Sequence, residues 1–238
     1  MNELLEVAVR AHGGLDRWSQ LKSLKSNMSI TGTLWQVKSR PDVLKEIRME
    51  ADLRRQQLNT YRVGEDKRFV WTPDSVSIEA ADGRAISRFD DPRAAFQGQV
   101  LETPWEDVHV TYFSSEAMWT YLTIPFLYTY PGFVVEELAP WHEDGEEWQP
   151  LKATFPDSFP SHTREQISYF GKDGLLRRHE YTVDILGGAQ GVNYAYDYRD
   201  FGGIMVPTTR RVFSYDAAKQ KIPGLPLVAI DIKDIAFS

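Results

Sequence analysis

Ile47-Arg48-Met49-Glu50-Ala51-Asp52-Leu53-Arg54 decides the fold class, because apolar and charged residues alternate along it without a break. Successive side chains of an extended strand point to opposite faces, so this pattern predicts a strand with one face on a core and one in water. The same period is legible upstream, where Met28, Ile30, Gly32 and Leu34 alternate with polar residues from Ser26 onward. Downstream, short strands are predicted near Arg68 to Trp71, Ser75 to Glu79 and Ala85 to Phe89, separated by the turn sequences Thr72-Pro73-Asp74 and Asp82-Gly83. After Pro131-Gly132 the alternation resumes through Phe133 to Leu138, Gln149 to Phe155, Arg164 to Phe170, Leu175 to Ile185, Val192 to Phe201, Val206 to Tyr215 and Leu227 to Phe237. Strands joined by Gly- or Asp-containing turns, without helix-length connectors, exclude a doubly wound parallel sheet.

Helical patterns occur in two places. Asn2 is placed to cap a helix carrying Leu4, Leu5, Val7, Ala8 and Ala11, which Gly13-Gly14 ends, and a short amphipathic turn with Leu15, Trp18 and Leu21 follows. Asp90-Asp91-Pro92 opens a second helical region, in which Ser114 or Ser115 is the expected cap of a helix running to Leu122. The expectation is one α+β domain over residues 1–238: a strongly curved antiparallel sheet or unclosed β-barrel of roughly nine to twelve strands. Its N-terminal helix and inserted helices should cover the concave face. Trp18, Ile30, Leu34, Ile47, Met49, Leu53, Val183, Ile185 and Phe213 are the expected core.

Composition narrows the function. The 238 residues are 42% hydrophobic and 13% aromatic, ample for a buried core, and 27 Lys and Arg against 34 Asp and Glu leave a net charge of -7. Such a surface repels phosphate backbones, so no nucleic-acid partner is expected. With no cysteine, there is no disulfide, thiol nucleophile or thiolate metal site. The acidic start Met1-Asn2-Glu3-Leu4-Leu5-Glu6 is unlike a signal peptide, and the most apolar segment, Tyr121 to Val135, is short and broken by Pro125 and Pro131. The expectation is a cytoplasmic protein with no membrane span, or one exported with a leader outside this sequence.

Ala11-His12-Gly13-Gly14-Leu15-Asp16-Arg17-Trp18, followed by Leu21-Lys22-Ser23-Leu24-Lys25 and a strand with Gly32, resembles the start of many LolA-like lipoprotein-carrier proteins. Asp200-Phe201-Gly202-Gly203-Ile204-Met205-Val206-Pro207, followed by two strands, resembles that superfamily's last hairpin. The resemblance implies an unclosed β-barrel with helices plugging its mouth and an apolar cavity for acyl chains or other lipophilic groups. The carriers act after export and no leader is present here, so the fold is carried over and the trafficking role is not.

No strong catalytic motif is present: there is no phosphate loop, no Gly-x-Ser-x-Gly elbow and no His-Glu-x-x-His. Gly187-Gly188-Ala189-Gln190-Gly191 reads as a hairpin loop, lacking the following helix an anion site needs. Phe113 to Phe133 concentrates aromatics around two prolines and is expected to form a lid over the concave face. A three-residue loop Lys172-Asp173-Gly174 would set Tyr169 opposite Arg177, Ile167 opposite His179 and Glu165 opposite Tyr181. That register turns Glu165, Arg177, His179 and Tyr181 inward, where an imidazole and a carboxylate suit proton transfer. A register slip of one residue would instead put them in water. His142 reads as part of a solvated turn, and His12 as a cation favoured by the helix C-terminus; His162 and Glu165 are three apart, but nearby Pro160 argues against a helix that would bring them together.

Three functions follow as expectations. The first is binding or carrying a lipophilic small molecule in a cavity lined by Trp35, Trp119, Tyr121, Phe126, Tyr128, Tyr181 and Tyr196, with no cofactor and no metal. Trp119→Ala should then weaken binding and spare folding, since a lid is peripheral. The second is a cofactor-independent lyase, isomerase or cyclase, with His179 as acid or base, Glu165 its partner, and Tyr181 and Arg177 steadying negative charge. The third is self-association or partner pairing through an open sheet edge, which leaves the protein a monomer or a homodimer.

Overall fold

In a computed structural model, which describes residues 2–238, the chain begins with helix α1 (Glu3–Ala11) and helix α2 (Leu15–Gln20). The side chain of Asn2 accepts a hydrogen bond from the Leu5 amide at 3.0 Å, so α1 starts at the expected cap. Strand β1 (Ser23–Thr31) and a short helix α3 (Thr33–Val37) come next, then strands β2 (Leu44–Asp52), β3 (Gln57–Arg62), β4 (Lys67–Thr72), β5 (Ser75–Ala80) and β6 (Ala85–Asp90). A 3-10 turn at Pro92–Phe96 leads to helix α4 (Asp107–Thr123). The second half holds β7 (Val134–Glu137), β8 (Trp141–Glu143), β9 (Glu146–Thr154), β10 (Glu165–Phe170), β11 (Leu176–Val183), β12 (Ala189–Asp200), β13 (Met205–Phe213) and β14 (Val228–Phe237).

All the strands but β8 lie in one antiparallel path of order β6-β5-β4-β3-β2-β1-β14-β13-β12-β11-β10-β9-β7, and β8 pairs with β9 to one side. The first half is thus a meander running outward from β1, and the second half a meander running inward to β14. The two join where Ile30 faces Ile230 and Leu24 faces Phe237. Strands β6 and β7 end the path without meeting, so the sheet is curved but unclosed. Fourteen strands exceed the nine to twelve expected, because β3 and the three-residue β8 were not read from the sequence.

Helix α4 fills the trough of this sheet, touching β3, β4 and β5, and every residue from Val108 to Thr123 is buried. It begins at Asp107, not at Ser114 or Ser115. Its cap is a reciprocal pair in which the Glu106 amide donates to His109 Nδ1 at 3.0 Å while the Glu106 side chain accepts from the His109 amide. Arg62 fixes this end through Asp107 at 2.9 Å. Ser114 lies inside the helix, its hydroxyl donating back to the Val110 carbonyl at 2.7 Å.

β1 stops at Gly32, whose φ of 127° is open chiefly to glycine and whose added Cβ would lie 2.3 Å from the Leu227 carbonyl oxygen. The chain then turns into α3, so Leu34 is half-buried on a helix and does not continue the strand. β11 likewise ends at Val183, leaving Ile185 half-buried in a 3-10 turn; Phe213 is half-buried on the convex side. The remaining expected core residues, Trp18, Ile30, Ile47, Met49, Leu53 and Val183, are buried.

The N- and C-terminal motifs touch. A Cβ on Gly13 would lie 2.2 Å from the Gly203 carbonyl oxygen, the Met205 amide donates to the His12 carbonyl at 3.1 Å, and Arg17 Nε donates to the Gly202 carbonyl at 2.7 Å. His12 is buried there, its Nδ1 donating to the Ala8 carbonyl at 2.8 Å, and burial lowers its pKa to about 4. The ring is therefore neutral, and desolvation overrides the helix-end attraction expected for a cation.

Candidate functional site

A cavity of about 640 Å³ lies between α4 and the inner faces of β1 and β11 to β14. Its wall is mostly aliphatic, with Ile30, Met118, Val183, Val212 and Ile230 among the residues that the sheet and helix turn toward it. Val100, Leu101 and Ile222 belong to the same wall yet are 63%, 64% and 48% exposed, so they mark the rim where the cavity meets solvent. The rim is built from the loop before α4, the 3-10 turn at Asp184–Leu186 and the connection between β13 and β14.

The structure separates the residues expected to line one pocket. Trp35, Tyr121 and Tyr181 are on the cavity wall. Trp119, Phe126 and Tyr128 are not: they pack on the other sides of the helix and its following turn. Trp119 is 1% exposed and its Nε1 donates to the Asp52 carbonyl at 2.7 Å, Phe126 stacks on Trp18 at 4.2 Å, and Tyr128 hydrogen-bonds to Ser168 at 2.8 Å. The aromatic segment is thus interior packing and not a peripheral lid. Tyr196 is 42% exposed and stacks on Tyr194 at 6.3 Å on the convex face.

The expected hairpin register holds only at its turn, where the Gly171 amide donates to the Leu175 carbonyl at 2.9 Å. A β-bulge follows, with Phe170 facing Leu176 but Tyr169 facing Arg178, so Ser168 opposes His179 and Ile167 opposes Glu180. His179 and Tyr181 still point inward. Glu165 is exposed, and Arg177 is half-buried and paired with Asp173 at 2.7 Å, so neither joins them. In their place His179 Nε2 donates to Gln166 Oε1 at 2.6 Å, and Tyr181 bonds to Tyr121 hydroxyl to hydroxyl. Burial first, then the Arg210 guanidinium, lowers the His179 pKa to about 3, and burial raises both tyrosines. A sealed neutral imidazole and two protonated phenols do not form the proposed acid–base set.

The bulge also sends Ile167 and Tyr169 to the convex face, where β8 and the loop after β13 cover a second buried cluster. Its centre is Arg178, with no exposed surface, donating to Glu143 at 2.6 Å, to Glu180 at 3.0 Å and to the Lys219 carbonyl at 2.7 Å. Two-sided burial is why period-two reading misassigned the face here.

A histidine that does reach the cavity wall is His162, in the loop between β9 and β10. Its ring is 5% exposed, lies 5.0 Å from Phe113 and 5.4 Å from Tyr181, and its Nδ1 donates to Glu116 Oε2 at 2.8 Å. Glu116, on α4, also accepts from the Tyr112 hydroxyl at 2.8 Å and stands 3.6 Å from Arg93. This pair was missed because its members are far apart in sequence, and a helix buried on every side shows no inner face. One signal was present: Glu116 is the only Asp, Glu, Lys or Arg between Asp107 and Glu136. Among the described residues, no three His, Asp or Glu side chains gather as metal ligands, and no helix is long and apolar enough to cross a membrane.

No family model matches the chain, and no curated protein matches it. Among solved structures it is similar to a LolA superfamily protein from Nitrosomonas europaea, at 12% identity and a TM-score of 0.52 over 98% of this chain and 90% of that one. It is also similar to a DUF1329 family protein from Desulfovibrio piger, at 14% identity and a TM-score of 0.50 over 98% and 91%. A Vibrio parahaemolyticus domain provisionally named for outer membrane lipoprotein sorting aligns at 11% identity, with a TM-score of 0.50 over 98% and 91%. At such identities the likeness concerns the backbone, and it spans nearly the whole chain. An unclosed antiparallel sheet with a helix laid in its trough, and first and last strands paired at its middle, give this chain a fold similar to that of the Nitrosomonas europaea LolA superfamily protein.

Proposed function

We propose that the protein binds or carries a lipophilic small molecule in the cavity between α4 and the sheet. The observation that carries this reading is the cavity itself: about 640 Å³, walled mainly by aliphatic side chains and rimmed by exposed Val100, Leu101 and Ile222. That volume falls within the ~300–1,000 Å³ of small-molecule sites, and an apolar wall supplies affinity by removing hydrocarbon from water. An exposed apolar rim lets a chain enter without crossing a polar barrier. The likeness to lipoprotein-sorting folds agrees with the same reading. The acid–base alternative loses its basis, since Glu165 is exposed while His179 is sealed.

The test is displacement of a cavity-bound hydrophobic dye by straight-chain amphiphiles, in the wild type and in Ala117→Trp, which fills the wall of the cavity from α4. Displacement by the wild type and loss of dye binding in Ala117→Trp are expected. Equal dye binding by both proteins would place the ligand elsewhere and end the proposal.

A further inference from the structure

Two buried polar atoms on the cavity wall have no hydrogen-bond partner, His162 Nε2 and Trp35 Nε1. Both side chains are nearly inaccessible, at 5% and 2% exposure. They flank Phe113, whose ring centre is 5.0 Å from that of His162 and 6.1 Å from that of Trp35. Buried polar atoms are almost always satisfied, and leaving one unmet is costly. Gln190, Ser214 and Tyr215 make no side-chain hydrogen bond but are not among the buried unmet atoms, and the remaining polar side chains on this wall are engaged. Lys38 donates to the Val100 carbonyl at 3.1 Å, Ser114 to the Val110 carbonyl at 2.7 Å, Gln99 to the Ala95 carbonyl at 3.2 Å, and Tyr121 and Tyr181 bond to each other. The buried unmet pair thus lies on one stretch of the wall, on either side of Phe113.

The chemistry of each atom follows from its neighbours. With Glu116 Oε2 accepting from Nδ1, the tautomer of His162 that fits this contact presents its lone pair at Nε2. The Glu116 carboxylate is itself balanced by the Arg93 guanidinium at 3.6 Å, while Lys38, the cation on this wall, donates only to the Val100 carbonyl at 3.1 Å. Trp35 Nε1 is a donor only. The wall thus asks for a hydroxyl proton at His162 and an oxygen lone pair at Trp35.

We propose that the ligand is a hydroxyl-bearing lipid, whose hydroxyl donates to His162 Nε2 and whose oxygen acceptor meets Trp35 Nε1 while its hydrocarbon fills the aliphatic part of the cavity. Glu116 is a positioning residue: it fixes the tautomer and orientation of His162 and does not touch the ligand. This inference rests on the cavity-binding reading and names the ligand class for it.

Three probes of equal chain length, 1-dodecanol, dodecyl methyl ether and dodecanoate, are compared by displacement of the same dye at pH 8. Dodecanol is expected to bind about fivefold to tenfold more tightly than the ether, the worth of one hydrogen bond to a buried acceptor. His162→Phe keeps the ring stacked on Phe113 and removes Nε2, so the two probes should become equal while the ether keeps its affinity. If that variant fails to fold because Glu116 loses its partner, His162→Phe combined with Glu116→Gln removes the stranded charge and is read the same way. Equal affinity of alcohol and ether in the wild type, an alcohol preference that survives loss of His162, or tighter binding of dodecanoate would each overturn the assignment. If none of the three probes displaces the dye, the cavity-binding reading fails and not merely the choice of head group.

Discussion

Replacing Trp119 with alanine tests whether α4 is interior or peripheral. The indole is 1% exposed, packs against Phe159 at a ring distance of 5.5 Å, and donates from Nε1 to the Asp52 carbonyl at 2.7 Å, tying the helix to the end of β2. Removing a buried tryptophan ring and leaving its cavity costs about 3–5 kcal/mol. The orphaned Asp52 carbonyl adds about 1 kcal/mol. A total near ~5 kcal/mol is a large part of the ~5–15 kcal/mol that keeps a typical domain folded. Urea unfolding followed by far-UV circular dichroism should therefore show the midpoint falling steeply at nearly constant slope, and Trp119→Phe should lose less than half as much. Because Trp119 is off the cavity wall, the folded fraction of Trp119→Ala should still bind the dye. A stability loss below about 1.5 kcal/mol, or selective loss of dye binding with stability intact, would refute the interior placement and restore the lid.

Acid sensitivity should begin above the carboxylate range. Burial holds His12 to about 4 and His179 to about 3, whereas both titrate near 6.5 when unfolded. The unfolded chain therefore binds protons that the folded chain refuses, so their contribution is complete above pH 6.5 and is lost as pH falls toward 4. For His12 the loss is on the order of 3 kcal/mol, and His12→Gln should flatten that part of a stability profile measured by urea unfolding; an unchanged slope between pH 6.5 and 4 would count against a buried neutral ring. Gly13→Ala should cost at least about 2 kcal/mol, because it combines a φ of 124° with a Cβ 2.2 Å from the Gly203 carbonyl. Thermal unfolding would show this, and a midpoint within a degree or two of the wild type would mean that the two motifs are not in contact.

The sequence by itself determined most of the strands and the class of the fold. Alternation in Ile47 to Leu53 survives as β2, with Ile47, Met49 and Ala51 buried, because a half-buried strand prints its two environments directly into a period of two. The terminal glycine motifs were legible for a related reason. Gly13 and Gly32 occupy backbone angles and close approaches that a side chain would obstruct, so a local constraint fixes the residue.

What only the tertiary structure decided is which groups meet. A single bulge beside Arg177 moved Tyr169 and Ile167 to the convex face and left Glu165 in water, and nothing in the local pattern announces such an insertion. On the convex side the cover supplied by β8 makes both faces of β11 buried, which erases the contrast that alternation depends on. Helix α4 is buried all round, so its sequence shows neither where it starts nor which way Glu116 points. His162 and Glu116 meet because the loop between β9 and β10 passes over the helix, a contact between distant segments that the folded backbone sets and local periodicity does not encode.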